Sequence, residues 1–289
     1  MSHFVIPNHT VVGTNVLSEA APLLKKMGNK AFIVTGRHVA VSNMMKQLTA
    51  LLDENGIDCV TFDGITGEPT DTMIENGVKM LKSSGCDFII GIGGGSPLDS
   101  AKAIAAMAVN EGSIADYNGK EITGEILPLA AIPTTAGTGS EATKFTVITD
   151  SEKGIKMLLK GDVLVPKLAI VDSSFTIGAP KSVISATGLD ALTHAVEAYT
   201  SRKAFSMTDT LAVSAVKRIM KYLPIAYKEP DNSLAREQMS IAALEAGICI
   251  NNSSVTIVHG MSRPIGALFH VPHGMSNAML LKELSLIHI

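Results

Sequence analysis

The sequence predicts a two-part chain: an α/β domain with a parallel sheet over residues 1–180, then an all-α domain over residues 181–289. Three observations predict it. Short, nearly continuous apolar runs alternate with helical patterns in the first part, as strands covered on both faces of a parallel sheet require. From about residue 180 the strand signal fades and patterns rich in Ala, Met and Leu take over. At 289 residues the chain is long enough for two hydrophobic cores.

In chain order, residues 31–34, 59–62, 87–90, 127–132 and 168–171 read as buried strands. Residues 42–54, 71–84 and 97–109 read as the helices between them. In the second part, residues 181–200, 206–222, 234–248 and 255–263 read as helices whose methionines fill the core. Residues 282–289 end the chain without completing a helix pattern, so the second domain is expected to be truncated and these last residues foreign to the parent chain.

Composition excludes several classes. With 46% hydrophobic and 18% charged residues the chain is an ordered globular protein. A net charge of −3 gives no electrostatic case for nucleic acid or anionic membrane, and the apolar runs are too short to cross a bilayer. The N-terminus lacks a basic segment followed by an apolar one, and Cys59, Cys86 and Cys249 are odd in number and scattered. A reducing cytoplasm is expected, with neither a disulfide framework nor a thiolate metal site.

Two polar loops follow predicted strands. In the first, Gly93, Gly94 and Gly95 let backbone N–H groups approach a phosphate, Ser96 reads as a helix cap and Pro97 as the first helical residue. The free donors and dipole of that helix N-terminus suit a dinucleotide pyrophosphate. Asp99 lies in the same first turn, with capping as its plainer role. The second loop carries Thr134, Thr135 and Thr138 at the carboxyl end of a strand, where ligands bind in such sheets. Helix capping by the threonines is the alternative there.

Asp190, His194, His259 and His273 form a complete protein ligand set for a divalent metal. Asp190 and His194 are spaced i,i+4, so on a helix both leave one face a turn apart. Three imidazoles and a carboxylate, without thiolates, suit Fe²⁺ or Zn²⁺. His259 and His273 are also the catalytic candidates. Glu197 and Lys102 are expected to be solvated or salt-bridged helix charges, and His270 to be packing or a support for the ligands.

Residues 93–102, 133–141, 188–197 and 259–274 together resemble the iron-containing (group III) alcohol dehydrogenases of the dehydroquinate synthase-like superfamily. The resemblance implies a Rossmann-like domain, a helical domain and a cleft between them. It implies Asp190, His194, His259 and His273 as ligands of iron, with Zn²⁺ possible on ligand identity. It implies Gly94, Gly95 and Ser96 at the pyrophosphate, Thr134, Thr135 and Thr138 lining the cofactor site, and Lys156 reaching the cofactor ribose. A bound metal acts as a Lewis acid that lowers the alcohol pKa, while NAD or NADP carries the hydride. A small alcohol or aldehyde is the expected substrate and a homodimer the expected assembly.

The chain departs from the family pattern in three places. Gly36 stands where many NAD-using members have an Asp, and Arg37 follows, so a 2′-phosphate meets no repulsion and a cation that could pair with it. Arg263 stands four residues after His259, where several members carry a histidine that can relay a proton; an arginine cannot. The chain is roughly a hundred residues shorter than family members usually are. Two other readings compete: a metal-dependent lyase of the same superfamily, disfavoured because residues 190–273 hold no Lys/Arg cluster, and a truncated fragment that binds dinucleotide or self-assembles without turnover.

Overall fold

The computed structural model describes residues 3–269 and 271–287. It contains β1 (His9–Gly13), α1 (Ala21–Met27), β2 (Lys30–Val34), α2 (Arg37–Ala40), α3 (Asn43–Glu54), β3 (Asp58–Phe62), α4 (Asp71–Ser84), β4 (Phe88–Gly93), α5 (Gly95–Met107), β5 (Leu129–Pro133), β6 (Phe145–Asp150), β7 (Ile155–Lys160) and β8 (Leu168–Asp172). Then follow α6 (Lys181–Thr200), α7 (Ser206–Lys228), α8 (Ser233–Ser253), α9 (Ile257–Phe269) and α10 (His273–Ile287). These residues form two compact units. One comprises Pro7–Thr134 and Thr143–Asp172; the other comprises Met1–Ile6, Thr135–Ala142 and Ser173–Ile289.

In the first unit six strands form a sheet in the order β1-β8-β5-β4-β2-β3. Every pairing in it is parallel. All residues of β4, β5 and β8 are buried, which is why these segments read as continuous apolar runs rather than alternating ones. From β2 the chain steps outward to β3, then returns to place β4 on the other side of β2. The strand order therefore reverses between β2 and β4, the crevice where ligands bind in open α/β sheets.

The sequence missed β1 and the antiparallel hairpin β6–β7, which lies outside the main sheet. Its period-two burial is present, with Thr146, Ile148 and Asp150 inward on β6 and Met157 and Leu159 on β7. The polar Thr146 and Asp150 on the inner face hide that pattern. α5 fastens the hairpin: Val147 N donates to Asp99 Oδ2 at 2.9 Å and Thr146 Oγ1 to the Asp99 carbonyl at 2.8 Å. Lys102, expected on the surface, is fully buried and donates to Phe145 O at 2.8 Å and Thr143 Oγ1 at 3.0 Å. Nearly every residue of α5 beyond its first turn is buried, so a lysine there has no route to water.

The helical unit packs α6, α7 and α8 through alanines, including Ala191, Ala195, Ala215, Ala242 and Ala246, around Ile184, Ile219 and Met239. Small side chains let the helix axes approach closely. The N-terminal segment joins this unit through Val5, whose N–H donates to Asn252 Oδ1 at 2.7 Å. α10 runs on through Ile287, correcting the expectation that the helix pattern stops before residue 282. Lys, Glu and Leu are strong helix formers, so nothing in residues 282–284 breaks the turn. Among the described residues no helix is long and apolar enough to cross a membrane.

Candidate metal centre and phosphate loop

Asp190 and His194 sit one turn apart on α6, His259 in the first turn of α9 and His273 at the start of α10. The fold brings all four together. Asp190 Oδ1 lies 3.7 Å from His259 Nε2, 3.7 Å from His273 Nε2 and 3.9 Å from His194 Nε2. The ligand atoms of Asp190, His259 and His273 all fall within 4.8 Å of one another. Atoms sharing one ion at roughly 2.0–2.2 Å lie at most about 4.4 Å apart, so the three spacings about Asp190 fit a common divalent ion. Nitrogen and carboxylate donors without sulfur suit iron or zinc. The His194 and His259 rings stack, with centroids 4.6 Å apart. Asp190, His194 and His259 are buried, whereas the His273 side chain is 43% exposed.

Glu197, expected to be solvated or salt-bridged, is paired with His259, and the pair is buried. It follows His194 by three residues on the same helix face and is 2% exposed. Its Oε1 accepts from Thr256 Oγ1 at 2.7 Å and from Val258 N at 2.6 Å, tying down the N-terminus of α9. Its Oε2 meets His259 Nδ1 at 2.5 Å. Burial works against the Glu197 charge, but the bonds from His259 and Thr256 outweigh it and hold the carboxyl at about 2. An ionised carboxylate only accepts, so in the neutral ring the proton sits on His259 Nδ1 and the lone pair on Nε2. This is the tautomer a metal needs, held by a carboxylate–histidine pair.

The charges of the centre follow from its burial. Asp190 is opposed by burial yet held well below the usual carboxylate range by the neighbouring imidazoles, His194 first. His194 is driven down to about 4, first by burial, so it is neutral at ordinary pH. Burial pulls His259 down as well, but the carboxylates of Asp190 and Glu197 beside it more than offset this and leave it raised. Asn277 completes the cluster with its Nδ2 at 2.6 Å from Asp190 Oδ1. The signal for it was legible: it follows His273 by four residues on α10.

The glycine loop lies in the other unit, where β4 becomes α5. The helix begins at Gly95 with Gly94 as its cap, so Ser96 and Pro97 fall one and two residues inside rather than at the boundary. Pro97 is tolerated there because first-turn N–H groups have no partner within the helix. Gly94 supplies no side-chain cap, which leaves the Gly95 and Ser96 N–H groups to an outside acceptor. Gly93 has φ +148, and a Cβ on it would meet the Pro97 ring at 2.7 Å.

Thr134 N donates to Gly93 O at 2.9 Å, so the ends of β5 and β4 adjoin. Thr35 Oγ1 donates to Ile92 O at 2.8 Å, drawing the end of β2 alongside, with Gly36 and the exposed Arg37 just beyond. Gly36, Gly93, Gly94, Gly95 and Ser96 thus gather at the carboxyl ends of β2 and β4, which flank the reversal, with Thr134 at the end of the adjoining β5. Asp99, half-exposed, spends one oxygen on the hairpin. Lys156 on β7 is paired with Glu68 at 2.6 Å. Thr135 and Thr138 belong to the helical unit, where Thr138 Oγ1 accepts from Ser140 N at 3.3 Å. The expectations for His270 and for the Arg263 side chain lie outside the described residues.

Residues 7–173 match the family model described as iron-containing alcohol dehydrogenase, and residues 184–287 match the C-terminal model of the same family. Among curated relatives, the NAD-dependent methanol dehydrogenase of Bacillus methanolicus is 38% identical over 96% of this chain and 74% of its own length. The 1,3-propanediol dehydrogenase of Citrobacter freundii is 37% identical over 99% of this chain and 75% of its own. The crystal structure of a 1,3-propanediol oxidoreductase superposes with a TM-score of 0.95 at 37% identity, covering 99% of this chain and 76% of that one. That of sulfoacetaldehyde reductase from Bifidobacterium kashiwanohense, in complex with NAD+, gives 0.94 at 32% identity over 99% of this chain and 77% of that one. With both halves matched and the ligand cluster assembled, the chain belongs to the iron-containing alcohol dehydrogenase family.

Proposed function

We propose that this chain is a metal-dependent dehydrogenase that moves hydride between a nicotinamide dinucleotide and a small alcohol or aldehyde, with Asp190, His194, His259 and His273 as its metal ligands. The observation that carries this reading is the convergence of three imidazole nitrogens on Asp190 Oδ1 at 3.7–3.9 Å. An iron or zinc ion held there supplies Lewis acidity toward the substrate oxygen, and the nicotinamide carries the hydride. The chain's own residues do the rest. Glu197 orients His259, and the Gly95 and Ser96 N–H groups at the start of α5 anchor the pyrophosphate. Thr134 and Lys156 of the same unit line the remainder of the cofactor site, Lys156 leaving Glu68 for the ribose.

The cofactor reading extends to Gly36 and Arg37. A glycine at the end of β2 offers no carboxylate to a ribose 2′-hydroxyl, while Arg37 offers a cation to a 2′-phosphate. The chain is accordingly assigned NADPH as well as NADH use. A cytoplasmic setting and the lack of nucleic-acid or membrane partners are part of the same proposal, supported by the net charge of −3 and three free cysteines, and so is a homodimer, which rests on the family resemblance alone.

The test is metal analysis of protein purified without chelator, followed by turnover of short alcohols and aldehydes with each cofactor. Iron- or zinc-dependent oxidation of a short alcohol is expected. Strict use of NADH would remove the role given to Gly36 and Arg37. Gly36→Asp is expected to lower NADPH use by about tenfold or more relative to NADH, a difference of roughly 1.4 kcal/mol.

A further inference from the structure

We propose that the helical unit carries a small-anion site, in which Arg236 holds one chloride-sized ion between the start of α8, the start of α6 and the loop at Thr135. Arg236 is only 4% exposed, in a setting where a charge without a partner is costly. Its Nε donates to Thr176 Oγ1 at 3.1 Å. Among the described residues its four other N–H groups make no hydrogen bond, and no carboxylate pairs with it. Burial works against the charge, and Asp231, acting at longer range, only partly offsets this, so the pKa lies below its ordinary value. A guanidinium nonetheless stays protonated in a folded protein, so the charge has to be answered rather than given up.

Arg236 lines a hollow of about 10 Å³. The other walls are Thr135, Thr187 and apolar side chains, among them Val183, Ile184 and Met239. All belong to the helical unit. No carboxylate lines the hollow, so the one charge there is positive. That setting selects the ligand. A metal ion or an amine would meet only a cation. A phosphate or a dinucleotide is too large for a space that takes one body about the size of a water molecule or a halide ion. Water fits but leaves the charge unanswered. A monatomic anion satisfies the guanidinium fork and, being weakly hydrated, tolerates apolar walls. Thr135 adds a hydroxyl that no described residue engages, while Thr187 spends its own on Val183 O at 2.9 Å. Thr187 stands one turn before Asp190 on α6, so the ion would brace the end of the helix that carries Asp190 and His194. The inference holds whether or not those two residues bind a metal.

Thermal melting of the full chain tests this, with sodium chloride exchanged for sodium gluconate at constant ionic strength. Gluconate is too large for the hollow. The melting temperature is expected to climb with chloride and to saturate, gaining roughly 3–5 °C at about twenty times the dissociation constant. Bromide is expected to substitute for chloride. Arg236→Met, which keeps the length of the side chain and removes its charge, is expected to lose the response. No gain with chloride in the unmodified protein overturns the proposal. A gain that persists undiminished in Arg236→Met also overturns it, because the ion then binds elsewhere. If the variant does not fold, crystals of the unmodified protein soaked in bromide decide: an anomalous peak against the Arg236 Nη atoms supports the proposal, and its absence overturns it.

Discussion

At the scale of single residues, burial reverses the reading of two charges. Glu197 and Lys102 look like helix-surface groups in the sequence, yet both are enclosed and fully engaged. Glu197 acts through His259. Glu197→Gln is expected to weaken metal binding by roughly 10–100-fold, measured by chelator competition, because the amide no longer dictates the His259 tautomer. Unchanged affinity would show that the ring is held by other contacts. Lys102→Met strands Phe145 O and Thr143 Oγ1 without their donor, at a cost of about 2–4 kcal/mol in a denaturant melt. Cys249 is the third buried case. Burial first, then Glu245 and Asp209, push its thiol up to about 12, and its Sγ donates to Thr208 O at 3.3 Å. A thiol reagent at pH ~8 is expected to leave Cys249 unmodified in the folded protein and to reach it only on unfolding.

At the scale of elements, close backbone contacts set what the sequence can tolerate. Gly139 has φ +63 and lies against the backbone of Gly247 in α8, both within the helical unit. Any side chain on Gly247 meets the Gly139 backbone at 2.6–3.0 Å, and backbone cannot rotate away as a side-chain tip can. Gly247→Ala is expected to lower stability by roughly 2 kcal/mol or more, read by thermal or chemical melting. A loss below about 0.5 kcal/mol would mean that the loop at Gly139 yields freely. Most elements were legible, since α3 and α4 carry helical periodicity and β4, β5 and β8 read as continuous apolar runs. The β6–β7 hairpin was not. Its inward face mixes Thr146 and Asp150 with Ile148, and its position depends on Asp99 and Lys102 of α5, which lie far from it in sequence.

At the scale of the whole molecule, metal binding and stability are linked. An ion that binds the folded ligand set and not the unfolded chain stabilises by about 2.7 kcal/mol at a hundredfold excess over its dissociation constant. Loading with Fe²⁺ under anaerobic conditions, or with Zn²⁺, is expected to raise the melting temperature, and a chelator to reverse the gain. The same shift in an Asp190→Ala variant would place the responsible site elsewhere. The sequence alone determined the α/β-then-α order, the glycine turn that opens α5, and the four residues, Asp190, His194, His259 and His273, proposed as ligands. These are local patterns of periodicity, spacing and backbone freedom, and neighbours along the chain suffice to express them. Only the tertiary structure decided that Glu197 grips His259, that Lys102 is buried, and that Asn277 reaches into the ligand cluster. Each depends on atoms brought together from distant helices or loops, and the environment that gives a polar group its role exists only once those elements have packed.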